Sequence, residues 1–230
     1  MPRSARHAPG GYICHALNRA VARLPLFKKD RDYVAFLKVV AGALLRHPTR
    51  ILSYCVMPNH WSRRAGILWP RHDGEMSDFL RWLTHTHTMR WHSHHHPVGT
   101  GHLYQGRFKA FPVQNDEHLL TLLRYVEHNP LRANLVKKAE DWPWSSLWHR
   151  RYGMNMGARL RKWPIAMPED WIDQVNRPQT DGEVEALRRS VQRGTPFGSD
   201  RWQQRTAAKL GLEYTLRPPG RPKKEPAEEA

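Results

Sequence analysis

The stretch Leu119-Leu120-Thr121-Leu122-Leu123-Arg124-Tyr125-Val126-Glu127-His128-Asn129-Pro130 decides how this chain is read. At about 100° per residue, Leu119, Leu122, Leu123 and Val126 share one face of a helix. Asp116 is placed to cap that helix, and Asn129-Pro130 stops it. Tyr125 falls roughly 110° from the centre of the apolar face, on a flank. Asn129 lies one turn further on, and His118 lies about two turns back on nearly the same stripe. A core tyrosine takes the apolar face, so this stripe reads as the wall of a cleft. A flank tyrosine taken alone is more often a half-buried packing residue.

Working outward, residues 12–18 alternate like a short strand with Tyr12, Cys14 and Ala16 on one side. Residues 31–45 carry Val34, Phe36, Leu37, Val40 and Leu44 at helical spacing. Residues 51–57 are β-rich and stop at Pro58, and a second strand is expected over 61–69 before Pro70. Ser77 is a candidate cap for a helix through Phe79, Leu80 and Leu83 that ends near His94-His95-His96. Residues 103–114 read as a loop leading into a strand. The order strand, helix, strand, strand, helix, strand, helix suits an α+β fold. The expected form is a ferredoxin-like, split β-α-β antiparallel sheet with helices on one face.

The charge narrows the partner. Thirty-seven Lys and Arg against 21 Asp and Glu give a formal net charge of +16, an imbalance that favours a polyanion over a membrane. A generally sticky basic protein carries the same composition. No apolar run approaches the roughly 20 residues of a spanning helix, and the first residues lack a signal peptide's apolar stretch. Cys14 and Cys55 form no metal-spaced or disulfide pattern. The expectation is a cytoplasmic, nucleoid-associated protein.

Two motifs carry the chemistry. Met57-Pro58-Asn59-His60-Trp61-Ser62 precedes Arg124-Tyr125-x-x-x-Asn129-Pro130. Together they resemble the REP-associated tyrosine transposases, of the HUH class of single-strand DNA transposases (IS200-like). The resemblance covers about residues 1–150 and implies the ferredoxin-like fold. It also implies that Tyr125 attacks a DNA phosphodiester, leaving a 5′-phosphotyrosine link and a free 3′-hydroxyl for rejoining. A phenol is a weak nucleophile at neutral pH and needs positive charge or a metal beside it. The implied cofactor is a divalent ion, Mg²⁺ or Mn²⁺, held by His60 and Asn129 together with a second histidine two residues after the first. Residues i and i+2 of a strand point to one side, so His-x-His offers two imidazoles to one ion.

Here Ser62 stands where that second histidine belongs. Counting back from Trp69-Pro70 places the position near Ala65 instead, and neither alignment supplies a histidine. The run 62–66 looks like a local scramble with a short insertion. His85 and His87 have the spacing but fall on an expected helix, where i and i+2 diverge by about 200°. One of them can reach a site, not both. His94, His95 and His96 read as a solvated polar turn. Metal binding, and with it strand cleavage, is therefore expected to be weakened.

The segment Tyr104-Gln105-Gly106-Arg107-Phe108-Lys109 interleaves cations with aromatics, as single-strand binders do, and has a close counterpart in the resembled family. Its bland reading is a strand with Phe108 inside and Arg107 and Lys109 solvated. Arg124 and Arg132 flank the tyrosine and can steer phosphate or simply end helices. His118 is a weaker candidate for proton transfer. Trp142, Trp144 and Trp148, also matched in the family, read as packing that closes the core. Beyond residue 150, residues 151–216 read as a helical extension, either a helix-turn-helix or a helical pair docked on the first domain. Residues 217–230 form a basic tail whose Gly220-Arg221-Pro222 resembles an AT-hook, with Arg221 as a minor-groove contact. The partner implied is single-stranded or hairpin DNA of repetitive extragenic palindromes; the oligomeric state stays open, a homodimer included. Three readings compete: a strand-cleaving transposase, a disabled copy that still binds hairpins, and non-specific binding through basic segments.

Overall fold

The first strand, β1 (Ile13–Leu17), is buried along its whole length, as a strand must be when its sheet is covered on both faces. In the computed structural model of the protein, residues 9–58, 66–95, 101–153 and 157–217 are described. Helix α1 (Asp30–Arg46) follows, its start held by the Asp32 carboxylate, which accepts from the Lys28 and Lys29 amides, and its end set just before Pro48. Then come β2 (Ile51–Tyr54), β3 (Gly66–Leu68), α2 (Glu75–His95), β4 (Lys109–Val113) and α3 (Glu117–Glu127). The order of elements is the one expected. Helix α2, however, starts at Glu75 rather than at a Ser77 cap, because the Glu75 carboxylate reaches back to the Arg71 and His72 amides.

The sheet runs β2-β3-β1-β4 with every pairing antiparallel. Strands β1 and β2 are thus parallel to each other with β3 between them, the split β-α-β arrangement. Cys14 and Ala16 face the layer made by α1 and α2, with Phe36, Leu37, Val40, Phe79, Leu80 and Leu83. The opposite face is covered too. Ile13, Leu17, Leu52, Ile67, Phe111 and Val113 pack against Leu119, Leu122, Leu123 and Val126 of α3, the residues read as its apolar face. Three short helices, α4 (Asn129–Arg132), α5 (Ser146–Tyr152) and α6 (Trp171–Asn176), and the longer α7 (Asp181–Arg193) add to this second layer. Pro112 sits in β4 without penalty because β4 is an edge strand.

The turn between α7 and α8 (Asp200–Leu210) docks on the sheet instead of standing free. Phe197 bridges Val113, donating to the Pro112 carbonyl at 2.9 Å and accepting from the Gln114 amide at 2.9 Å. A Cβ at Gly198 would lie 2.5 Å from Gln114 Oε1, so only glycine lets the turn approach this closely. The AT-hook-like tail, with Arg221, lies outside the described residues.

His87 is a core residue of the α1–α2 layer. Its ring stacks on Phe27 and meets Phe36 edge-on, and its Nδ1 hydrogen-bonds the Tyr104 hydroxyl. Burial pushes its pKa down from 6.5 to about 3, with His95 adding to the fall, so the folded protein holds it neutral. The unfolded chain takes up the proton first as pH falls. This contribution to stability is therefore intact above about pH 6.5 and is lost progressively toward pH 3. In urea unfolding, His87→Phe should flatten the stability loss between pH 7 and pH 5 by about 2 kcal/mol relative to wild type. Equal slopes in the two proteins would refute the neutral assignment.

Candidate functional site

Helix α3 is held to the sheet by Glu127, whose carboxylate is 0% exposed. Oε1 accepts from Arg150 Nη1 at 2.6 Å, Ser146 Oγ at 2.5 Å and Ser53 Oγ at 3.1 Å, and Oε2 accepts from Trp171 Nε1 at 2.9 Å. A buried carboxylate persists only when paired and fully hydrogen-bonded, and here four donors from β2, α5 and α6 converge on it. The Ser145-Ser146 pair has a divided task. Ser145 caps α5 by accepting from the Trp148 amide, while Ser146 ties Glu127 to Ser53 and the Tyr54 amide. Nothing local in the sequence marks Glu127; its partners lie 19 to 74 residues away.

This anchor fixes the turn that carries Tyr125 and Asn129. Asn129 opens α4 immediately after α3, with Pro130 in its first turn, and is 0% exposed. Tyr125 is 2% exposed, so its flank of the helix is covered and is not an open cleft wall. The Arg132 guanidinium lies 4.6 Å over the Tyr125 ring. Helix α3 packs beneath β2, and the chain leaves β2 through Met57-Pro58 toward residues 59–65. His60 and Ser62 fall in that stretch, outside the described residues.

The two arginines read as phosphate guides are engaged within the protein. Arg124 Nη2 donates to the Arg177 and Pro178 carbonyls at 3.3 and 2.7 Å, and Nη1 lies 3.7 Å from Glu183. Arg132 Nη2 donates to Gln179 Oε1 at 3.0 Å, and Gln179 in turn donates to the Thr121 carbonyl. Both therefore clamp the segment ahead of α7 onto α3. His118 sits at the start of α3 with Nδ1 2.8 Å from Asp116 Oδ1 and its ring edge-on to Phe197. Asp116, Glu117 and His118 are also the cluster with ligand atoms within 4.8 Å of one another among the described residues. Seven residues of helix place it about 10 Å along the axis from Tyr125, so it is not the same site.

The Tyr104–Lys109 stretch divides in a way its spacing left open. Tyr104 and Phe108 are 6% and 7% exposed and belong to the α1–α2 core, and both also line the groove beside Arg107 with little surface of their own exposed. Arg107 and Lys109 are exposed. Lys109 Nζ is 3.5 Å from the Gln192 carbonyl, whereas Arg107 lines a groove of about 710 Å³. Across that groove α2 presents Arg81, Thr84, His85 and Thr88, at i, i+3, i+4 and i+7, and the loop adds His102. His85, read as a candidate reaching the metal site, is a groove residue. By the strand register, Ala16 pairs Gly66 and Leu17 pairs Lys109, which puts the groove at the end of the sheet where β2 runs out toward residues 59–65.

These placements separate core from surface by experiment. Tyr104→Phe should cost about 1–3 kcal/mol by leaving a buried His87 nitrogen without its partner, with DNA affinity unchanged. Arg107→Ala should leave the melting temperature alone, weaken single-strand binding, and lower the slope of log K against log salt by about 0.7. Glu127→Gln should cost about 2–4 kcal/mol in chemical denaturation by leaving Arg150 without its charge partner.

A search of curated proteins finds no match. One solved structure, described as "Structure of the REP associates tyrosine transposase bound to a REP hairpin", aligns over 73% of this chain and 93% of its own, with 19% identity and a TM-score of 0.47. The family model described as "Transposase IS200 like" matches residues 11–129, just over half of the chain, from the residue before Tyr12 through Asn129. By that match, the chain belongs to the IS200-like transposase family.

Proposed function

We propose that this protein binds single-stranded hairpin DNA of the repetitive extragenic palindrome type, and that strand cleavage by Tyr125 is impaired. Family membership supports transposase ancestry, and the observation that carries the binding reading is the Arg107 groove. The exposed Arg107 guanidinium suits phosphate oxygens there, whereas Arg81 across the groove is paired with Asp78 at 2.9 Å and the Thr84 and Thr88 hydroxyls donate to carbonyls of their own helix. With Tyr104 and Phe108 in the core, recognition there rests on charge and hydrogen bonds.

The impairment rests on the donor set. The family resemblance calls for two imidazoles and an amide oxygen on a divalent ion. This chain offers His60, has Ser62 in place of the second histidine, and buries Asn129 fully. His87 cannot substitute, being buried and bonded to Tyr104. A neutral serine is a poor ligand, and these donors do not fit a two-histidine centre. Cleavage at Tyr125 forms a bond from its phenolic oxygen to phosphorus and breaks the bond to the 3′-oxygen, which leaves with a proton. Stabilising that departure is what the missing ligand withdraws. The burial of Tyr125, 2% exposed, works in the same direction by limiting access to the phenol. A DNA-acting protein of this kind belongs in the cytoplasm with the nucleoid; among the described residues no helix is long and apolar enough to cross a membrane.

A labelled hairpin oligonucleotide with Mn²⁺ tests both halves. Wild type should bind the hairpin but form a denaturant-stable adduct at least about tenfold more slowly than Ser62→His. The adduct should vanish in Ser62→His/Tyr125→Phe. A wild-type rate equal to that of Ser62→His would refute the impairment, and an adduct surviving Tyr125→Phe would refute the nucleophile. Removal of residues 217–230 should spare hairpin preference; its loss would favour non-specific binding through the basic tail.

A further inference from the structure

We propose that Asn18 is the residue of the Arg107 groove that reads base identity, donating from its side-chain amide to a carbonyl oxygen of an unpaired base. This rests on the hairpin-binding reading and names a sequence-selecting residue within the same groove. Asn18 follows β1 directly, is 5% exposed and lines the groove. Its Oδ1 accepts from the Arg19 amide at 2.9 Å. A backbone N–H only donates, so the oxygen of the carboxamide is the atom turned toward it. Nδ2, at the other corner, makes no hydrogen bond among the described residues and keeps a face open to the groove. Nearly buried polar side chains have their bonding groups satisfied as a rule, so a donor left unspent at a groove calls for a ligand.

The surroundings favour a base edge over a phosphate. Leu103, Tyr104 and Phe108, which line the groove with Asn18, are 3%, 6% and 7% exposed. They give its depth an apolar character around a neutral donor, where a phosphate without a cation would be costly to desolvate. The charged and titratable groups stand further out. Arg107, His85 and His102 are exposed, and Arg81 is paired with Asp78 at 2.9 Å. Thr84 and Thr88 spend their hydroxyl protons on carbonyls of their own helix. A nucleotide with its phosphate at Arg107 therefore meets Asn18 with its base. The donor is also held in place. The Gln105 amide donates to the Arg19 carbonyl at 2.7 Å, the Val21 amide donates to the Leu103 carbonyl at 3.0 Å, and Ala20 bridges Tyr104. These bonds lay the chain after β1 against the loop that carries Arg107, and a donor on a rigid support discriminates better than one on a mobile chain.

A lone N–H donor sorts bases by what they present. Guanine O6 and thymine O4 accept, whereas adenine N6 and cytosine N4 carry amino hydrogens that would meet Nδ2 donor to donor. Asn18 thus selects guanine or thymine over adenine or cytosine at one unpaired position.

The test binds the full-length protein to a hairpin whose unpaired flank is randomised and sequences the retained strands. Asn18→Asp keeps an oxygen for the Arg19 amide and replaces the free donor by an acceptor. Wild type should favour guanine or thymine about three- to tenfold at one position, the worth of one hydrogen bond. Asn18→Asp should reverse that preference toward adenine or cytosine there and leave the other positions alone. The preference is a ratio within one protein, so the added negative charge, which weakens every strand alike, cancels. In the wild type, replacing the selected base by an analogue without that oxygen, 2-aminopurine for guanine, should cost a similar factor and needs no variant. A flat wild-type profile, or the same profile in both proteins, would overturn the inference while leaving hairpin binding intact. Full affinity for the strand lacking the carbonyl would overturn it as well. A wild type that retains no hairpin DNA would refute the binding reading itself.

Discussion

A single buried carboxylate holds the second layer of this protein in register. Glu127 draws hydrogen bonds from Ser53 in β2, Ser146 and Arg150 in α5, and Trp171 in α6. Apolar packing alone presses α3 on the sheet but fixes neither its rotation nor its height, because contacts among Leu, Ile and Val are non-directional. The directional bonds at Glu127 do both. Tyr125 and Asn129, two residues to either side, inherit their positions from that constraint. Arg150 extends it by donating to the Leu52 carbonyl while lying 4.6 Å over the Trp163 ring.

The excess of cations resolves into groups with different tasks. Arg124 and Arg132 are spent inside the fold, fastening residues 177–183 to α3 and covering Tyr125. Arg107 and the polar stripe of α2 face an open groove, and four arginines together with Asp73, Glu75 and Asp78 line a pocket that shares Asp78 with it. A net charge of +16 identifies a polyanion partner but not which cations meet it. Burial and hydrogen bonding make that division. Charges already satisfied by carbonyls and carboxylates are poor recruits for phosphate, since binding would first have to break those contacts.

Much of the fold was legible because periodicity encodes burial directly. Leu119, Leu122, Leu123 and Val126 all reach the core, and the strand-helix order translates into the split β-α-β sheet without rearrangement. The second covering layer was less legible, since α4, α5 and α6 are short and owe their existence to the surface they dock on. At the candidate site the spacing of Tyr125 and Asn129 was readable, and their burial was not. The same holds for Tyr104 and Phe108, where alternation with cations suited a stacking surface and a core strand equally well.

The sequence by itself determined the helix faces, the order of strands and helices, and the family. These are local properties of spacing and residue type. Tertiary structure alone decided that Glu127 would be the anchor, that Arg124 and Arg132 would fasten the C-terminal segment, that His87 would be a neutral core residue, and that Arg46, Arg50, Arg71 and Arg161 would meet. Each depends on partners many residues distant. A polar side chain's role is set by what lies within about 3 Å of it once the chain has folded, and residue type alone does not carry that information.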